Sequence, residues 1–122
     1  MKLNTIMPAT LKPFYRKELE NAQTTFAKKD LQHSWQHLER AHILGQPYPY
    51  HHSLVHWKML GFAVRTKNFP EITGQLPRIL LGGAMSFVGK FPVGNTGGAN
   101  VPGFQRMEIP EDLKQIIKQT QS

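Results

Sequence analysis

Residues 38–60 read LERAHILGQPYPYHHSLVHWKML, and they decide the fold. The stretch is the end of one helix, a Gly/Pro turn and the start of another. At about 100° per residue, Leu31, Trp35, Leu38 and His42 fall in one stripe, spaced i, i+4, i+7, i+11. That is the apolar stripe of a core-facing helix, so His42 is predicted to point inward. Beyond the turn, His52, Val55, His56, Met59 and Ala63 repeat the pattern. His52 and His56 are thus one turn apart on a second inward face. Gly45, expected as a left-handed helix stop, with Pro47 and Pro49, leaves so short a connection that the two helices must be antiparallel neighbours.

This arrangement brings His42 and His52 to one level beside the turn, with Glu39 and His56 one turn deeper. Neutral imidazole is the commonest ligand of borderline metals, and a carboxylate often accompanies it. Glu-x-x-His and His-x-x-x-His are both spacings that place two donors on one ion. The sequence therefore predicts a divalent-metal site formed by Glu39, His42, His52 and His56, with Zn, Fe, Mn, Ni or Cu as suitable ions. The competing reading is a buried His/Glu polar network without metal, in a helical-repeat-like protein-interaction module. His33 and His37 fall on the opposite side of the second helix and are expected at the surface.

Working outward, residues 13–89 read as a four-helix core. The first helix spans 13–29, with Pro13 in its first turn and Tyr15, Leu19, Ala22 and Phe26 as its buried face. Asp30 caps the second helix, which ends near residue 44. The third runs over 50–66. Asn68 and Glu71 form the capping box of the fourth, which Pro77 should kink or divide. The turns FAKKDL (26–31) and AVRTKNFP (63–70) correspond at an offset of about 38 residues, near helical-hairpin repeat periods. Residues 90–109, KFPVGNTGGANVPGFQRMEI, have no periodicity and are expected to be an ordered coil packed across the helices. Phe91, Val93, Val101 and Phe104 would anchor it over a helical face; if that face holds the histidine pocket, the loop is a lid that limits water. The glycines lack the preceding strand and the Lys-Ser/Thr of a phosphate-binding loop. A short helix closes the chain over 110–120. The expected fold is all-α, one domain over 1–122: an N-terminal arm (1–12), two antiparallel helical hairpins, the loop and the C-terminal helix.

The 122 residues include no cysteine, which excludes disulfides and thiolate sites. The net charge of +7 is scattered rather than clustered, which argues against nucleic acid as a partner. No apolar run is long enough to cross a bilayer. The remaining candidate partners are the metal ion, another protein, or a second copy of the chain.

The segments HLERAHILGQ, HSLVHWKML and VGNTGGANVPGFQRMEIPEDL resemble a small bacterial family of proteins of unknown function, the DUF3703 type, over residues 15–117. Its genes are often encoded near those for heavy-metal resistance. The resemblance implies a bacterial cytoplasmic protein with a link to metal, and it includes His37, Glu39, His42, His52 and His56. It implies no reaction.

Overall fold

The computed structural model describes residues 5–87, 93–101 and 105–121, with backbone only over 82–87. The described chain is all-helical: α1 (Lys12–Ala27), α2 (Leu31–Gly45), α3 (Pro49–Arg65), α4 (Phe69–Phe87) and α5 (Glu111–Thr120). α1 packs on α2 and α3 on α4, giving two hairpins that join through α2 and α3; α5 leans on α2. No described helix is long and apolar enough to cross a membrane.

Both hairpins turn in the same way. In the first, Lys29 takes a left-handed φ of 62°, and Asp30 N–H donates back to Thr25 O at 2.9 Å. In the second, Lys67 has φ 56°, and Asn68 N–H donates to Ala63 O at 2.9 Å. This is the Schellman ending, with lysine where glycine is usual. The following residue caps the next helix in each case. Asp30 Oδ1 accepts from His33 N–H at 3.3 Å, and Asn68 Oδ1 from Glu71 N–H at 3.2 Å. The expected capping box at Asn68 is only half formed. Ala63 O already takes the Asn68 N–H, so the Glu71 carboxylate is released to turn inward.

Two further expectations are corrected. Gly45 is not a left-handed stop: it is the last residue of α2, and the positive-φ glycines described are Gly94 and Gly97. Its smallness serves packing instead. A Cβ there would lie 2.9 Å from Tyr15 Cε2 and 3.2 Å from His51 Cβ, so Gly45 lets α1 and α3 close on the end of α2. Pro77 does not divide α4, which continues through it. In the segment before α1, Met7 and Leu11 are buried in the core with Tyr15, Leu38, Leu44, Val55, Met59 and Leu113. Thr10 Oγ1 donates to Thr120 O at 3.0 Å, fastening this segment to α5.

An ion-pair network centred on the buried Glu18 holds α1, α2 and α5 together. Glu18 accepts from Arg40 Nε at 2.9 Å and pairs with His37 Nδ1 at 2.8 Å. Arg40 also reaches Asp112 on α5. His37 is therefore half-buried and structurally employed. His33, paired with Asp30 at 2.7 Å, is at the surface as expected.

Candidate metal centre

The last turn of α2 and the first two turns of α3 place His42, His52 and His56 in the interior, each at most 4 % exposed. Their Nε2 atoms form a triangle with every edge 3.1 Å. The inward stripes read from the sequence are the cause. His42 follows Leu38 and Ala41 into the core, and His52 and His56 flank Val55. Trp57 lies off the stripe and is exposed.

The outer nitrogens fix where the protons are. His42 Nδ1 is 2.7 Å from the carbonyl of Asn95, which can only accept, so this nitrogen carries the hydrogen. His56 Nδ1 is 2.7 Å from Gln75 Oε1. The amide of Gln75 cannot be reversed, because its Nε2 donates to Glu71 Oε2 at 2.7 Å and to Gly97 O at 2.9 Å. His56 is thus also protonated on Nδ1, and both Nε2 atoms are bare lone pairs. The His42–His56 edge then has two acceptors facing each other. Only His52 could bring a proton into the triangle, and one proton cannot serve three edges. A polar network of neutral imidazoles leaves these contacts unsatisfied, against the rule for buried polar groups.

Protonating the cluster is no remedy. Burial pushes His42 far below the ordinary histidine range, with His56 and His52 adding to the effect. Burial likewise pushes His56 down to about 4, partly offset by its bond to Gln75. The three histidines could hold a metal ion: their donor nitrogens all lie within 4.8 Å of one another.

The loop expected to pack across the helices reaches this region in its described part. Asn95 gives its carbonyl to His42, Gly97 gives its carbonyl to Gln75, and Ala99 N–H donates to Glu71 Oε2 at 2.8 Å. The Asn95 side chain braces the loop from within, accepting from Gly97 N–H at 2.8 Å and donating to Gln105 O at 2.7 Å. Gly97 is required twice over. Its φ is 88°, and a Cβ would fall 2.6 Å from His42 Cδ2. Val93 and Val101 are half-buried; Phe91, Gly103 and Phe104 lie outside the described residues.

Of the four predicted ligands, the structure brings together the three histidines. Glu39 stands outside the 4.8 Å cluster. It is half-buried one turn before His42. Its pKa is raised, chiefly by burial, against a lowering hydrogen bond from Trp35 and with a further rise from the nearby charge of Glu71. Sequence reasoning passed over Gln75, Glu71 and Asn95. Gln75 and Glu71 are one turn apart on α4, a spacing that could have marked a shared inward face. Nothing in the sequence marks the carbonyl of Asn95.

A family model described as "Protein of unknown function (DUF3703)" matches residues 9–117. No curated protein and no solved structure matches the chain.

Proposed function

We propose that this chain, which belongs to the DUF3703 family, binds one divalent metal ion through Nε2 of His42, His52 and His56. The observation that carries the reading is the triangle of Nε2 atoms, in which the lone pairs of His42 and His56 face each other at 3.1 Å. An ion at the roughly 2.0–2.1 Å of metal–imidazole bonds subtends about 95–102° between nitrogens 3.1 Å apart. That range lies between the octahedral and tetrahedral angles. Three imidazoles suit Zn, and also divalent Fe, Mn, Ni or Cu. They leave at least one coordination position for water or a small ligand. Glu39 stands nearest in sequence to the cluster as a further carboxylate, available to such a ligand or, after a side-chain rotation, to the ion.

The test is elemental analysis of protein purified without a nickel column, followed by thermal melts with and without Zn²⁺ at pH 7.5. Wild-type protein should carry or accept one equivalent and melt higher with metal, since an ion that binds only the folded chain stabilises it by about 2.7 kcal/mol at a hundred times its dissociation constant. His52→Ala and His56→Ala should abolish most of that rise, and His33→Ala should not. No stabilisation of the wild type, or equal loss in His33→Ala, would leave the polar-network reading in place.

A further inference from the structure

We infer that Glu71 is the counter-charge of the metal, acting on it through Gln75 and His56; this rests on the metal reading above. Three neutral imidazoles bring no charge to balance a divalent ion. The one charged side chain of α4 that bonds the loop alongside Glu71 is a cation, Arg78, whose guanidinium binds Gly74 O at 2.7 Å and Val101 O at 2.8 Å, so it offers the ion no balancing charge. A buried ion in such surroundings needs negative charge nearby.

Glu71 supplies it. The side chain is only 8 % exposed and makes no ion pair among the described residues. Its carboxylate accepts from Gln75 Nε2 and from Ala99 N–H, two neutral donors. A buried carboxylate with neutral partners is costly unless a cation lies within reach. The path to one is explicit. Glu71 Oε2 holds Gln75 Nε2 at 2.7 Å, and Gln75 Oε1 holds His56 Nδ1 at 2.7 Å. His56 then presents Nε2 to the centre of the triangle. Carboxylate contact with the outer N–H of a ligating histidine fixes its tautomer and raises its basicity. Here an amide is interposed. It relays the polarisation of the carboxylate and keeps the charge one residue away from the ring. Gln75 is fully buried, and its orientation is fixed by Glu71, Gly97 and His56. Gln75 and Glu71 are positioning residues, and neither is a ligand.

The loop gives Glu71 a second role in shape, because Ala99 N–H is tied to the same carboxylate. Two variants separate charge from shape. Glu71→Gln keeps an acceptor for both donors and removes the charge. Glu71→Asp keeps the charge and shortens the reach. Zn²⁺ affinity of the full chain is measured by competition with a chelating dye, and the d–d spectrum of the Co²⁺-loaded protein reports the ligand geometry. Loss of an outer-shell partner costs about 10–100-fold in metal affinity. We expect E71Q to weaken Zn²⁺ by at least about tenfold on that scale, with unchanged Co²⁺ bands. E71D should weaken it less than E71Q. Zn²⁺ affinity of E71Q within twofold of wild type, a greater loss in E71D than in E71Q, or displaced Co²⁺ bands in E71Q would each overturn the assignment. Should E71Q fail to fold, E71D decides: about threefold loss or less supports a charge role, and tenfold or more overturns it. If wild-type protein binds neither ion, the metal reading itself fails and this inference falls with it; binding by wild type with an indifferent E71Q defeats this inference alone.

Discussion

The metal-free protein should lose stability steeply between pH 7.5 and pH 5.5. His56 titrates near 4 in the folded chain, against an ordinary value of 6.5, and His42 lies well below 6.5. With folded values depressed, the unfolded chain takes up protons that the folded chain refuses, so stability is full above 6.5 and drains away as the pH falls toward 4. At pH 5.5 the loss from His56 is set by the unfolded value and amounts to about 1.4 kcal/mol. His42, lowered chiefly by burial, adds to it in the same direction, against the roughly 5–15 kcal/mol typical of a domain. His51, also lowered by burial, adds in the same direction. Glu39 opposes them, because its raised value means that the folded chain gains protons, and stability, as the pH falls through it. The assay is urea unfolding followed by circular dichroism in EDTA at pH 7.5, 6.5 and 5.5. His56→Gln, which retains a polar partner for Gln75, should remove about 1.4 kcal/mol of the loss. A fall of less than about 1 kcal/mol in the wild type would refute the buried neutral cluster, as would an unchanged loss in H56Q.

Two glycines in contrasting positions should respond in opposite directions. Gly97→Ala meets both a left-handed φ and a Cβ 2.6 Å from His42 Cδ2; it should cost about 1–3 kcal/mol by denaturant titration and weaken Zn²⁺ binding. Gly61→Ala on α3 has open space around the new methyl, and should stabilise by up to about 1 kcal/mol through helix propensity. Tyr15→Phe loses the bond from its hydroxyl to His51 O at 2.9 Å; it should cost about 1 kcal/mol and leave the metal stoichiometry unchanged.

The helical stripes were legible because burial imposes its period on the sequence. His42, His52 and His56 occupied positions that only apolar residues normally fill, and that mismatch was the signal. The caps at Asp30 and Asn68 were legible for a similarly local reason: a side chain bonds a backbone group three residues away. What could not be read depended on contacts distant in sequence. The carbonyl of Asn95 reaches His42 from 53 positions away, and a backbone group leaves no mark on residue choice. Glu71 read as a capping residue because its spacing from Asn68 fits that role; its true partner, Ala99, lies in a loop without periodicity. Gly45 misled because a glycine at a helix end has two uses, and only the third dimension reveals that Tyr15 needs the space.

The shared turn at Lys29 and Lys67 extends to a deeper correspondence. The same offset of 38 positions pairs Glu18 with His56, His37 with Gln75, and Arg40 with Arg78 (18 to 56, 37 to 75, 40 to 78). In each hairpin the first pair bridges the two helices by one hydrogen bond: Glu18 to His37 at 2.8 Å, and His56 to Gln75 at 2.7 Å. The two hairpins thus share one construction, a side-chain bridge between their helices at matching positions. In the first the bridge is an ion pair inside the scaffold. In the second the bridging residue is a histidine, so the same contact that ties the helices also aims a second ring nitrogen at His42 and His52.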